Sequence, residues 1–341
     1  MAFSFDEVLT REVKFDSSLA GKKILLYSTN NTGKTYQATR MSPKTFLIAT
    51  EAGDGAATCP KDSCNDWKKF KEIVTDLTNS KTLEKRLSQI EIIVIDTAEK
   101  LVEQSERSIC NKFGVSDLSE ITGRQNGYKM ARTDFSMQIN KLCSCGYCVI
   151  FIAHEETVEM TDPVTGETYS FVQPKGTSNE KSSMRELRDL ADYTVYLKPN
   201  PCDRETFKEV NSTAILTRTK NVFARSRFKI TPVIQNFTAS ALRKAIEDSV
   251  VASADEEGVG TTDFFTEQAK KHVDTKEDYF EIIKPYMEKL FPICGDEILT
   301  IVATYLGEGR KVTEATDDEL VALSNIYNDL VTKAVLLGVE V

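Results

Sequence analysis

Residues that build metal centres and membrane spans are scarce in this chain. Only two histidines, His154 and His272, and a single tryptophan, Trp67, occur among its 341 residues. No apolar run approaches the roughly 20 residues that a bilayer-crossing helix requires. The opening stretch, MAFSFDEVLTREVKFD, lacks the basic, apolar and small-residue order of a secretory signal. The expected setting is therefore the cytoplasm, with no membrane partner. Eight cysteines are present, with Cys59 near Cys64 and with Cys143, Cys145 and Cys148 crowded before an apolar segment. A zinc site draws on paired CxxC or Cys/His spacings, and with two imidazoles to offer the set is poor. Reduced thiols are the expectation.

What is present is an ordinary globular composition, 40% hydrophobic and 28% charged, in a chain long enough for one large domain and a smaller one. The net charge of −9 is unevenly placed. Residues 248–341 carry 8 basic and 20 acidic side chains, a balance of −12, whereas residues 1–247 carry 35 and 32, a balance of +3. Such acidity excludes a chain-wide nucleic-acid coat but leaves room for a local basic groove on the first part. A solubilising surface accounts for the acidic end.

Apolar runs alternate with helical patterns along the first part. ILLY (24–27), TFLIAT (45–50), IEIIVI (90–95) and YCVIFIA (147–153) read as buried strands, and GKTYQATRM and DWKKFKEIVTDLT read as helices. That alternation implies parallel strands joined by crossover helices. TVEMTDPVTGETYSFV reads as a hairpin about Pro163 to Gly166, and DYTVYLK, TAILTRTK and RSRFKITP as further strands. Apolar patterning lapses over 248–262, the expected linker. Beyond it the pattern is helical, with Thr316 and Glu319 spaced as a capping box for a helix to about Leu336. The expected division is a core over 1–247, a linker over 248–262 and a helical domain over 263–341.

The first strand runs into Ser28, Thr29, Asn30, Asn31, Thr32, Gly33, Lys34 and Thr35, which matches the P-loop pattern except that Ser28 stands where glycine is usual. A tight turn from strand to helix aims backbone N–H groups inward and adds the helix dipole, so that phosphates are cradled. Lys34 would reach the outer phosphates and the Thr35 hydroxyl would ligate Mg2+. Asn30 and Asn31 tolerate left-handed backbone, which softens the loss of glycine at 28. Asp96, closing IIVID, fits the second magnesium role. ATP with Mg2+ is thus the expected ligand, held by residues 28–35 together with Tyr36. Glu51, beyond TFLIAT, sits where ligands of parallel sheets gather and would orient the attacking water. His154, beyond YCVIFIA, would sense the outer phosphate or simply satisfy a strand end.

These segments, STNNTGKT, TFLIATEAG, IIVIDT, VIFIAHEE, DLADYTVYLK and LTRTKNVFARSRFKI, resemble RecA-like ATPases, and among them phage-encoded proteins of single-strand annealing and recombination. The resemblance spans about residues 20 to 235. It implies an α/β fold with a mainly parallel central sheet, followed here by a small helical C-terminal domain. It also implies ATP hydrolysis by a homo-oligomeric ring or filament acting on single-stranded DNA. By the same resemblance Glu51 activates water, and His154 couples nucleotide state to DNA. A cation drawn from Lys220, Arg225 and Arg227 would enter the neighbouring subunit's site. GRQNGYK (123–129) and PKGTSNEKSS (174–183) are where DNA-contacting loops would lie, solvated surface loops being the competing reading. A translocase on the same fold, or a nucleotide-gated module recruiting a partner through its C-terminal helices, are the alternatives.

Overall fold

The computed structural model describes residues 12–51, 57–122, 126–201, 212–271, 276–337 and 339. Gly53, Gly55, the Gly123 to Gln125 part of the first polar segment and His272 lie outside them. The chain forms two compact units, divided between Phe265 and Thr266.

The first unit opens with β1 (Lys14–Asp16) and β2 (Lys23–Ser28), followed by α1 (Lys34–Ala38), β3 (Thr45–Ala49), β4 (Lys61–Ser63), α2 (Trp67–Leu77) and α3 (Leu83–Gln89). Then come β5 (Ile92–Asp96), α4 (Ala98–Phe113), α5 (Gly127–Ser144), β6 (Cys148–Thr161), β7 (Thr168–Pro174), α6 (Ser183–Leu190) and β8 (Tyr193–Lys198). Three short strands follow, β9 (Thr213–Ile215), β10 (Arg225–Ser226) and β11 (Val233–Ile234), and then α7 (Ala239–Glu257), β12 (Gly260–Thr262) and the start of α8 (Phe264–Lys271).

Strands β4, β3, β5, β6, β2 and β8 lie side by side in that order, each parallel to the next. Period-two alternation decides which layer each side chain enters. Leu25, Tyr27, Ile93, Ile95, Val149 and Phe151 point to one face, where Trp67, Phe70, Leu101, Phe135 and Leu187 of α2, α4, α5 and α6 cover them. Ile24, Leu26, Val94, Ile150 and Val195 point to the other, under Ala38 of α1 and Leu242 and Ile246 of α7. Strands buried on both faces read as unbroken apolar runs, as these do. This three-layer α/β architecture with a mostly parallel sheet is the P-loop NTPase fold.

Three expectations change. The linker at 248–262 is helix and strand: Thr238 caps α7, Leu242, Ile246, Val250 and Ala254 bury one stripe of it, and Gly258 closes it at φ 66°. Small residues there continue a helix begun upstream, because alanine is the strongest helix former. β12 then pairs with β1, so the first unit runs beyond 247. β6 does not end at His154 but continues to Thr161, pairing antiparallel with β7 as the expected hairpin. TAILTRTK holds strand geometry only to Ile215. The Thr219 hydroxyl accepts the Asn221 and Val222 N–H groups and turns the chain away.

The second unit contains α9 (Lys276–Leu306) and α10 (Leu320–Leu337) around Ile283, Leu290, Ile298, Leu323, Ile326 and Leu330. α9 kinks at Cys294 (φ −144°, ψ 48°), just beyond Pro292, which has no N–H to offer the preceding turn. The capping box at Thr316 and Glu319 forms as expected. No described helix is long and apolar enough to cross a membrane.

Candidate nucleotide site

Register brings the carboxyl ends of β2, β3 and β5 level with His154, inside β6. Ser28 lies opposite His154, and Ala49 opposite Asp96. β2 stands between β6 and β8, while the chain leaving it must cross to β3, so the loop after Ser28 opens at a switch point of the sheet.

Within that loop Asn31 and Gly33 hold left-handed backbone, at φ 60° and 81°. Ser28 is the last residue of β2, fully buried and free of positive φ, so a side chain there costs no backbone strain. Its hydroxyl bonds to Thr32 Oγ1 and receives the Lys34 ammonium at 3.0 Å. Lys34 Nζ also donates to the carbonyls of Ser28 (3.2 Å) and Thr29 (2.6 Å). At the head of α1 the Gln37 N–H bonds to Gly33 O. The Thr35 hydroxyl donates to Asp96 Oδ2 at 2.6 Å.

The AAA-domain family matches residues 20–228, more than half of the chain. The SPbeta prophage-derived uncharacterized protein YorG of Bacillus subtilis (strain 168) is 30% identical over 317 residues, which cover 92% of this chain and 93% of that protein. The chain belongs to the AAA-domain family of P-loop ATPases.

The electrostatics of the AAA domain fit an anion and a cation together. Burial pushes the Asp96 carboxyl above its ordinary range, against the Thr35 hydroxyl bond and the Lys34 charge, and nearby Glu51 adds to the rise. Burial likewise lowers the Lys34 ammonium, opposed by Asp96, Glu99 and Glu155. A divalent ion would relieve a carboxylate held in that state, and a phosphate would relieve the buried ammonium. The Thr35 hydroxyl and Asp96, 2.6 Å apart, would each offer such an ion an oxygen. Among the described residues no group of three or more His, Cys, Asp or Glu has the arrangement of a metal centre, and the cysteines described are free thiols.

Glu51 is exposed just beyond β3, its Oε1 taking the Thr97 hydroxyl at 3.2 Å. Thr50 fastens that edge, accepting the Thr97 N–H at 2.7 Å and donating to Thr97 O at 3.0 Å. His154 is half-buried beside them. Its N–H donates to Glu99 Oε1 at 2.6 Å, and its Nδ1 lies 3.3 Å from the same oxygen. Glu99 was not legible as a site residue in the sequence. An acid in the first turn of a helix serves the helix dipole almost anywhere, and only the sheet register delivers His154 to it.

Lys220, Arg225 and Arg227 do not join this site within their own chain. Arg225 bonds to Asp189 O and pairs with Thr194 at the start of β8. Arg227 binds Asp192 at 3.0 Å, and Asp192 in turn accepts the Lys23 N–H at the far end of β2 from Ser28. Lys220 is exposed, its Nζ 5.3 Å from the Tyr169 ring on the hairpin. The two polar segments do meet, since Lys181 Nζ lies 5.7 Å from the Tyr128 ring. An open cleft of about 530 Å³ between α2, α4 and α5 is lined by Lys71, Lys112, Lys129 and Asp134 but by no residue of the nucleotide loop.

Proposed function

We propose that this protein is a Mg2+-dependent ATPase of RecA-like type that assembles with copies of itself and acts on single-stranded DNA in phage-type recombination, annealing or replication. The observation that carries the ATPase reading is the 2.6 Å bond from the Thr35 hydroxyl to Asp96, with the buried Lys34 ammonium at the same strand ends. Thr35 and Asp96 would hold magnesium, which when bound neutralises phosphate charge. Lys34 exchanges its loop carbonyls for phosphate oxygens and spreads the charge that develops on them. Glu51, at the open rim, orients water for in-line attack. Tyr36, exposed on α1 just after Lys34 and Thr35, would meet the nucleoside.

Two observations support the DNA reading. The relative YorG is prophage-derived by name. The Tyr128 and Lys181 segments converge, and the second contains Lys175, whose N–H bonds to His154 O at 2.9 Å. A phosphate-tracking groove would make turnover rise with single-stranded DNA and that rise fade with salt. The test is ATPase rate across a salt series, with and without DNA, for the wild type and Lys34→Ala. Wild-type stimulation that salt abolishes, with no turnover by Lys34→Ala, is expected. A fully active Lys34→Ala would overturn the ATPase reading, and no stimulation at low salt would overturn the DNA reading.

One feature favours a nucleotide-gated recruiting module instead. Phe291, Ile293 and Leu299 of α9 are exposed at 47%, 59% and 53% around its kink, on a unit rich in acid. ATP binding without turnover under every condition would select that reading.

A further inference from the structure

His154 is held at both of its backbone ends, by groups with different neighbours. Its N–H is taken by Glu99 Oε1 at 2.6 Å, and its C=O takes the Lys175 N–H at 2.9 Å. Beyond Lys175 the chain is fastened again, because Glu156 accepts the N–H groups of Gly176 and Ser178, each at 2.9 Å, and the Gln173 amide at 2.8 Å. An unbroken path of hydrogen bonds and two peptide units therefore runs from Glu99 to the polar segment 174–183.

The other carboxylate oxygen of Glu99 is buried and has no hydrogen-bond partner among the described residues. Leaving such an oxygen unpaired is costly, and this one belongs to a carboxylate that acts electrostatically on the Lys34 ammonium. A phosphate that claims Lys34 brings negative charge toward Glu99 and removes part of the field that steadies it. The imidazole of His154, only loosely engaged at 3.3 Å, is the group able to turn from Glu99 toward that phosphate.

We propose that Glu99 is a positioning residue that ties the occupancy of the nucleotide pocket to the 174–183 segment by gripping His154. Glu99 acts through His154 and does not touch the reacting atoms. The inference rests on the nucleotide reading above, and its test separates the two. Amide hydrogen exchange of the full chain is followed with Mg2+ and the non-hydrolysable probe adenosine 5′-(β,γ-imido)triphosphate, while binding of the probe is measured separately.

In the wild type the probe is expected to change exchange within 174–183. Glu99→Ala is expected to bind the probe yet lose that response. Glu99→Gln, which keeps an acceptor for the His154 N–H and the native shape, retains part of it. His154→Ala alone also loses the response, and adding Glu99→Ala removes nothing further, as two residues acting as one unit require. A response in Glu99→Ala equal to the wild type, or a wild type that binds the probe without any response in 174–183, would overturn the proposal. Failure of the wild type to bind the probe would instead sink the nucleotide reading on which it stands.

Discussion

Tyr36 follows the lysine and threonine of the phosphate loop and is 55% exposed, with the Arg40 guanidinium 3.6 Å from its ring centroid. Arg40 also bonds to the Tyr36 carbonyl at 3.0 Å, so the pair is held across the end of α1. On the proposed reading the phosphates sit at the head of that helix, and the next part of a nucleotide is sugar and base. One face of the Tyr36 ring is covered by Arg40, and on that reading a purine would stack on the other. Stacking of a base on an aromatic side chain is worth about 1–3 kcal/mol in nucleic-acid sites, and 1.4 kcal/mol is about tenfold in affinity. Tyr36→Ala is therefore expected to raise KM for ATP by about tenfold with little change in kcat, and Tyr36→Phe to leave both nearly unaltered. Steady-state kinetics on ATP checks this, and an unchanged KM for Tyr36→Ala would remove Tyr36 from the site. Legibility at this scale follows the reach of each signal. Lys34 and Thr35 stand out along the chain because the loop pattern fixes their spacing, and Asp96 because it closes an apolar strand. Glu99 does not, because its meaning comes from a hydrogen bond to β6, 55 positions away in sequence.

The same distinction holds for whole elements. Buried strands such as β2 and β5 announce themselves by local hydrophobicity, whereas 248–262 looked like linker because its apolar stripe is built from small residues and shared with the turn before. In the second unit the opening of α10 was readable from Thr316 and Glu319, but its strongest tie was not. Arg310 forks onto both Glu319 oxygens at 2.6 and 2.8 Å, and the Thr316 N–H adds a third bond at 2.9 Å. The Arg310 bond, chiefly, holds the Glu319 carboxyl down at about 2, against an ordinary 4.5. A carboxyl depressed in the folded state contributes stability that is complete above the unfolded value and is lost as pH falls from about 4.5 toward about 2. Amide exchange across α10, corrected for intrinsic rates, should therefore quicken over that acid window in the wild type. Glu319→Gln should exchange faster already at neutral pH and lose much of the acid dependence. Equal protection of the two proteins at pH 7 would show that the fork contributes nothing to α10.

At the scale of the whole molecule, the placement of the cations within one chain bears on the proposed assembly. The Arg227 side chain is 65% exposed and tied to Asp192, at the opposite end of β2 from the phosphate loop, and Lys220 is exposed on the hairpin side. If either cation completes a nucleotide site, as the RecA-like resemblance implies, the site belongs to another copy. Nothing in local periodicity could have revealed this, because a contact in trans leaves no pattern in the residues on either side of it. On the proposed assembly, with copies arranged head to tail, the idea is testable by mixing two inactive variants. A Lys34→Ala subunit lacks its own site but offers intact cations, whereas a subunit with Lys220, Arg225 and Arg227 all changed to alanine keeps its site but offers none. At equal ratio each intact site has an even chance of facing an intact cation, so about a quarter of wild-type turnover should return. A trans cation is worth about 10³- to 10⁵-fold in other phosphoryl-transfer enzymes, so the recovered rate should stand far above either parent. Mixtures that co-assemble yet stay inactive at every ratio would place the completing cation elsewhere. A triple variant as active as the wild type would show that these three residues complete no site, leaving Lys34, Glu51 and the magnesium ligands to account for turnover within one chain.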